Sequence, residues 1–366
     1  MKFICDGLDL SDAVLKVSKA LSVKAANPIL EGIKISAKGD TLTLLATDLE
    51  LTIEKQIKAD VLMEGETVVV GKYFVDFTKK LEKEQVELSR LFDGGLQIKY
   101  SDSVSEFQVF PAENFPNIIS TKDGVNFEIK AKDFKEIVER TIFACATDDA
   151  RPILKGCLFD IKDNSLTAVA LDGFRMAVVK KEVIASGDMK VVIPSRALNE
   201  ITRLIEKDED LLKVYIQDNS LFVQIGSTSI ASRLIEGEFV KYNHILPTTF
   251  ENSVTVNRQV LLTSLERAGV VARDDRYNVV KLDVKENVMT VYAKSEIGEV
   301  NENVNIMLKG KDMTIAFNGK YLSEYLKIVS DEFLVINLNS SIDPCVITAM
   351  NSQNYIYLVL PVRING

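Results

Sequence analysis

The chain has 366 residues, 46% of them apolar and 27% charged, a composition typical of soluble globular proteins and a length that suits about two to three domains. Its formal net charge of −9 excludes a protein that coats nucleic acid with its whole surface, while leaving room for a local basic face. No stretch approaches the roughly 18 uninterrupted apolar residues of a membrane span. The start, Met1-Lys2-Phe3-Ile4-Cys5-Asp6, lacks the basic-then-apolar order of a secretory leader, so a cytoplasmic location with no membrane partner is expected.

In chain order, Phe3-Ile4-Cys5-Asp6-Gly7-Leu8-Asp9-Leu10 reads as a short alternating strand that runs into an amphipathic helix through Ala13, Val14 and Val17. Pro28-Ile29-Leu30-Glu31-Gly32-Ile33-Lys34-Ile35 follows, then a turn and a strand, Lys38-Gly39-Asp40-Thr41-Leu42-Thr43-Leu44, and a strand closed by Asp48. Thr67-Val68-Val69-Val70 is a strand leading into a second helix predicted over Tyr73–Lys83. The plan then recurs. Phe127-Glu128-Ile129-Lys130 opens a copy with its helix around Phe134, Ile137 and Val138. Pro152-Ile153-Leu154-Lys155-Gly156-Cys157-Leu158-Phe159 matches the segment at Pro28, and Asp172 stands where Asp48 does. Val191-Val192-Ile193-Pro194 leads into a helix over Ala197–Lys207. A third, more diverged copy opens at Val254-Thr255-Val256, has its helix around Leu261, Leu265 and Ala268, and ends with Met313-Thr314-Ile315-Ala316-Phe317 before a helix over Tyr321–Val329.

The copies start 124 and 127 residues apart, a domain-sized period. The expected fold is therefore α+β, in three tandem domains, 1–121, 122–247 and 248–366, with boundaries in polar segments near Ile118–Asp123 and Pro247–Asn252. Each domain uses a strand–helix–strands unit twice and packs two helices on a mixed to antiparallel sheet.

The helices carry a run of cations. These are Lys16, Lys19 and Lys24, then Lys132, Lys135 and Arg140, then Arg267, Arg273 and Arg276 in the first helices and just past them. The second helices carry Lys72, Lys79, Lys80 and Lys83, then Arg196, Arg203 and Lys207, then Lys320 and Lys327. Acids such as Asp76, Glu82, Glu136 and Glu200 stand among them, so one reading is a solvated helical face. The other is a single surface offering phosphates a diffuse field without sequence readout. No helix-turn-helix, zinc finger or basic zipper signature reads bases.

Chemistry has little support. Cys5, Cys145, Cys157 and Cys345 form no C-x-x-C pair and read as reduced, buried thiols. With one histidine, His244, and no ligand spacing, no metal and no cofactor are expected. Cys145 with His244 is a conceivable nucleophile–base pair. Asp148-Asp149 and Asp274-Asp275 are the acids a two-metal nuclease would need in greater number. The chain lacks a G-x-S-x-G elbow, a phosphate-cradling glycine loop and H-E-x-x-H.

Three tandem copies, Asp172-Gly173-Phe174-Arg175-Met176-Ala177, Ala112-Glu113-Asn114-Phe115-Pro116 and the closing Tyr357-Leu358-Val359-Leu360-Pro361-Val362-Arg363 together resemble the bacterial DNA polymerase III β subunit family, the sliding clamps, from Met1 to Ile364. The resemblance implies a non-catalytic processivity factor that encircles duplex DNA as a head-to-tail homodimer, a six-domain ring with twelve helices lining the hole. It implies a clamp loader, replicative and repair polymerases, ligase and mismatch-repair proteins as partners, held through short linear motifs. Lys24, Lys72, Arg151 and Arg196 are the expected DNA contacts. Phe107 and Val109 on one side, with Val270 and Val271 on the other, are the expected seam. The implied peptide pocket comprises Leu154, Leu171, Gly173, Phe174, Arg175, Met176, Val240, His244, Ile245, Tyr321, Ile342, Pro344, Leu358, Leu360, Pro361, Val362 and Arg363. Leu171 replaces a residue often polar in the family, Val240 a frequent proline, and Asn365-Gly366 extends two residues past the usual end, which puts fine peptide preference in doubt. The rival readings are a repeat-built protein-interaction scaffold that never meets DNA, and a metal-dependent nuclease.

Overall fold

The computed structural model describes residues 1–22, 26–92, 94–116, 124–273, 278–350 and 352–363. Among the described residues six α-helices recur at the spacing of the repeats: α1 (Gly7–Val17), α2 (Gly71–Thr78), α3 (Ala131–Thr141), α4 (Ser195–Leu204), α5 (Arg258–Ala272) and α6 (Gly319–Ile328). Short polar side chains start several of them. The Leu8 and Asp9 amides donate to Asp6 Oδ1 at 2.8 and 3.2 Å, the Val260 amide to Asn257 at 3.1 Å and the Lys320 amide to Asn318 at 3.0 Å. Each bond satisfies an amide that the first helical turn would otherwise leave without a partner. On α1 the buried side chains Leu10, Ala13, Val14 and Val17 fall at helical spacing on one face. The second helices begin about two residues earlier than the sequence pattern indicated. α2 also ends at Thr78, where the Lys80 amide turns back to the Phe77 carbonyl and Leu81 drops into the core.

Every ladder among the described residues is antiparallel, so of the mixed to antiparallel sheet that the sequence pattern allowed they form the antiparallel kind. The strands alternate buried and exposed residues, as in Gly32–Lys38 and Leu211–Gln217, and the inward side chains form the core.

The chain separates into two compact units that do not follow the repeats. The first comprises Met1–Lys132, Ile184–Ser186 and Arg196–Leu234. It holds a 14-stranded sheet running Ile184–Ala185, Val125–Lys130, Leu211–Gln217, Ser220–Ile225, Thr228–Arg233, Leu51–Lys58, Thr41–Thr47, Gly32–Lys38, Gly65–Val70, Ser103–Phe110, Gly95–Tyr100, Gln85–Arg90, Lys2–Asp6 and Asp60–Met63. The repeats meet where Ile230 faces Ile53 across neighbouring strands. Within this unit α1 packs on Thr41–Thr47, Leu51–Lys58 and α2.

The second unit comprises Asp133–Val183, Gly187–Ser195 and Ile235–Gly366. Its 12-stranded sheet runs Met189–Pro194, Gly156–Lys162, Ser165–Leu171, Arg175–Glu182, Ser352–Val359, Cys345–Ala349, Phe333–Leu338, Asn252–Asn257, Gly298–Lys309, Val288–Ser295, Val279–Lys285 and Met313–Asn318. Here the central and last repeats join where Arg175–Glu182 pairs with Ser352–Val359, setting Arg175 opposite Val359. Helix α5 packs on Val288–Ser295, Gly298–Lys309 and α6. The central repeat thus divides its strands between the two sheets.

Candidate functional site

The strand Ser165–Leu171 ends in a tight turn closed by Asp172. Its Oδ1 accepts the amides of Phe174 at 2.9 Å and Arg175 at 3.0 Å, and Gly173 supplies a φ of +95° that side-chain-bearing residues rarely adopt. The turn lifts Phe174 out of the sheet, 60% exposed, and tucks Arg175 beneath it. Arg175 Nε donates to Asp172 Oδ2 at 3.0 Å, Nη2 to the Phe143 carbonyl at 2.6 Å, and Nη1 to Glu324 of α6. Its guanidinium also lies 4.4 Å from the Tyr321 ring centre and 5.3 Å from that of Phe143. Burial opposes the charge, yet the bond to Glu324 and nearby anions hold the Arg175 pKa above its ordinary value. Phe174 stacks on Tyr321 at 6.5 Å with 28° between the ring planes, and the Tyr357 hydroxyl donates to the Tyr321 carbonyl at 2.9 Å.

Below this turn Leu154, Leu171, Met176 and Leu358 belong to one buried cluster with Leu158, Val169, Val178, Val192, Phe239, Tyr242 and Val346. Val240 and Leu360 pack on its edge, partly buried. The Leu360 amide donates to the Phe174 carbonyl at 2.8 Å and the Val362 amide to the Ala316 carbonyl at 2.8 Å, which ties the end of the chain beside the turn. Pro361 and Val362 are half-buried and Arg363 is exposed. The structure therefore brings together the Asp172 turn, Tyr321, Val240 and the final strand as an apolar floor with an aromatic rim. His244, in the short turn Tyr242–His244, is exposed, as are Ile245 and Ile342, and Pro344 is half-buried. Asp172, Phe143 and Glu324 were absent from the sequence-derived set, and each holds Arg175.

Of the expected phosphate contacts, Lys72 is exposed at the start of α2, 5.8 Å from the Tyr73 ring centre, and Arg151 is exposed just before a short helical turn at Pro152–Lys155. Arg196 is exposed but bound to Asp48, and its Nη2 donates to the Lys19 carbonyl at 2.9 Å. Lys24 lies outside the described residues, as do Arg276, Asp274 and Asp275. Many other helix cations are paired: Lys16 with Asp12 (2.9 Å) and Glu206 (2.7 Å), Arg140 with Glu136 (2.7 Å), Arg203 with Glu200 (2.6 Å), Lys327 with Glu266 (3.0 Å), and Arg267 with Glu302. The six helices carry eleven basic and nine acidic side chains. They are slightly positive in a chain of net charge −9.

Phe107 and Val109 are half-buried, and Phe107 packs edge-on against Phe74 (6.0 Å) and Phe77 (5.0 Å) of its own unit. Val270 is 60% exposed near the end of α5, whereas Val271, three residues on from the buried Ala268, turns into the core at 8%. Besides the outermost strands of each sheet, two segments inside the strand order pair on one side only among the described residues. Ser103–Gln108 pairs on one side only, with Gly95–Tyr100, and the Gly298–Asn305 segment of its strand pairs on one side only, with Val288–Ser295.

Models of the DNA polymerase III beta subunit match the chain from end to end: its N-terminal domain over residues 1–119, its central domain over 128–241 and its C-terminal domain over 243–363. The chain belongs to the DNA polymerase III beta subunit family. A beta sliding clamp of Halalkalibacterium halodurans is 31% identical over 378 residues, covering 99% of this chain and 100% of the relative. The crystal structure of a DNA polymerase sliding clamp from Bacillus subtilis superposes with a TM-score of 0.96 at 26% identity, covering 100% of both chains. That of a DNA polymerase III beta subunit from Thermotoga maritima does so with 0.92 at 30% identity, again covering 100% of both. The fold is thus three tandem α+β clamp domains, as the sequence indicated.

Family membership makes the chain a non-catalytic clamp. Cys145 is buried, and burial pushes its thiol pKa well above the ordinary value, while His244 is exposed. Asp148 accepts the Ala150 amide at 2.9 Å and Asp149 pairs with Lys155 at 2.5 Å. Among the described residues no three His, Cys, Asp or Glu side chains converge on a metal position, and no helix is long and apolar enough to cross a membrane.

Proposed function

We propose that the chain is a ring subunit that closes head-to-tail with a second copy around duplex DNA and tethers DNA-processing proteins to it. Domains 1–121, 122–247 and 248–366 from each chain would supply the six segments of the ring. The observation that carries this reading is electrostatic. Summed over the six helices the charge is slightly positive, the excess coming from the central and last repeats, in an acidic chain with a net charge of −11 outside them. A surface of that kind attracts a polyanion without gripping it, because affinity for DNA grows steeply with the number of phosphates neutralised. Enclosure then supplies retention and the weak field permits sliding. Lys72 and Arg151, exposed and without an ion pair among the described contacts, are the best placed to touch phosphates, with Lys24 and Arg196 beside them.

The open edges support the closure. Ser103–Gln108 of one chain can add to Gly298–Asn305 of the other, a heterologous contact that repeats once to close a two-membered ring. Phe107, Val109 and Val270 would border that ladder, with Val271 beneath it. The cluster under Phe174 and Tyr321 fits an extended apolar peptide, anchored by side chains on the floor residues and bordered by Gly173, Val240, His244, Ile245, Ile342, Pro344 and the chain end at Pro361, Val362 and Arg363. Through it the polymerase, and by the same motif-based route a clamp loader, repair polymerases, ligase and mismatch-repair proteins, would bind in the cytoplasm.

The test is topological. Loaded on nicked circular DNA by an ATP-driven loader, the protein should stay through a high-salt gel filtration and leave within minutes once the circle is cut. Equal retention on circular and linear DNA, or a monomer at micromolar concentration, overturns the reading.

A further inference from the structure

The turn that carries Phe174 in the pocket proposed above is braced through Arg175 by an acid on α6. We propose that Glu324 is a positioning residue for this pocket, acting through Arg175. The inference depends on the pocket reading and extends it.

All the donor nitrogens of Arg175 have partners. Nε is taken by Asp172, Nη2 by the Phe143 carbonyl and Nη1 by Glu324. Only 9% of the side chain is exposed. Arg175 is therefore not poised to receive an acidic group of an incoming peptide; it is spent inside the protein as a brace. That brace has three anchors of different origin. Asp172 belongs to the same turn, Phe143 follows α3, and Glu324 is on α6 of the next repeat. Asp172 alone would leave the guanidinium free to swing about its own turn. Glu324 pins its far end and presses the cation against Tyr321, one helical turn before Glu324 on the same helix. Because Asp172 also fixes the Phe174 and Arg175 amides, the position of Phe174 over Tyr321 follows from where Arg175 is held. Glu324 is partly exposed and lies 3.7 Å from Lys320, so it remains in contact with water while its other oxygen faces inward.

A peptide that binds between Phe174 and the floor benefits when these rings are already in place, since ordering them on binding costs affinity. Loss of the Glu324 charge should then weaken binding by loosening the rim while leaving the floor untouched.

The chain has no tryptophan, so Phe174→Trp introduces a lone reporter in the rim. The probe is a fluorescein-labelled hexapeptide selected from a random library on the full-length wild-type protein and shown to compete with its parent for one site. Glu324→Gln should weaken this peptide about tenfold. Glu324→Asp, which keeps the charge but sets it one methylene further back, should recover part of that loss and leave the peptide about threefold weaker than on the wild type. In the Phe174→Trp background, Glu324→Gln should lower the steady-state anisotropy of the tryptophan at unchanged thermal midpoint. Wild-type affinity in Glu324→Gln overturns the inference and leaves the pocket standing. A weaker peptide with unchanged tryptophan anisotropy also overturns it, since the loss then has another source. Should Glu324→Gln not fold, wild-type affinity in Glu324→Asp overturns the inference and a threefold loss upholds it. If no selected peptide responds to Leu360→Asp, the pocket reading itself fails and the inference goes with it.

Discussion

Asp48 and Asp172 occupy the same turn in two repeats, 124 residues apart, and make the same two bonds. Asp48 Oδ1 accepts the amides of Glu50 (3.1 Å) and Leu51 (2.8 Å), as Asp172 Oδ1 accepts those of Phe174 and Arg175. The second oxygen separates their roles: Asp48 holds Arg196, while Asp172 holds Arg175. Asp172→Asn keeps an acceptor for the turn but removes half of the charge that faces a buried guanidinium. It should cost about 2 kcal/mol of unfolding free energy in urea titrations. Asp48→Asn faces an exposed partner and should cost under about 1 kcal/mol. Equal costs would mean that the turn, rather than the ion pair, dominates.

Val270 and Val271 are adjacent and should answer a charge in opposite ways. Val270→Asp places a carboxylate at the surface, so the fold should change by less than about 0.5 kcal/mol while the proposed seam opens. Sedimentation velocity at micromolar concentration should then show single subunits. Val271→Asp buries an unpaired charge in the core beside α5 and should cost about 3 kcal/mol or more of stability before any question of association arises. A Val270→Asp dimer would move the seam elsewhere.

Removing residues 361–366 takes away the Val362 amide that reaches Ala316, together with the rim formed by Pro361 and Val362. Peptide affinity should fall at least tenfold and the dimer should persist, read by polarisation and light scattering on the same sample. Unchanged peptide affinity would place the pocket elsewhere.

Burial pushes the Cys5 and Cys157 thiols up to about 12, with Asp6 and Asp9 adding to the effect at Cys5. In the unfolded chain these thiols ionise near pH 9, so between about 9 and 12 the folded state holds protons that the unfolded state has released. Stability is full below that window and falls as pH rises through it. The urea midpoint should therefore drop between pH 8 and pH 10.5, and Cys157→Ala should show a shallower drop. Iodoacetamide at pH 8 should label none of the four buried cysteines without denaturant.

The sequence shows the repeat plan because each element carries its own period. Phe127 and Ile129 alternate inward on a strand, and Phe134, Ile137 and Val138 then change to helical spacing. It does not show which strand lies beside which. Alternation says that Ile53 and Ile230 each face a core, not that they face one another, and nothing near Arg175 points to Val359. The same limit hid Glu324. From the sequence it is one acid on a polar helix face beside Lys320, while its buried partner lies 149 residues away. The floor leucines were legible as apolar, but whether Leu154 is pocket or plain core depends on neighbours from Val240 and Leu360, which meet only in the fold.

Five strands of the central repeat complete the first sheet and four complete the second. Cutting the gene at the repeat boundaries would therefore not yield three miniature proteins. A fragment ending near residue 121 would uncover the Leu51–Lys55 edge, and one beginning near residue 248 would do the same to Tyr355–Val359. Raw flanks of that length invite stacking with their own kind, so such fragments should clump where the full chain stays dispersed.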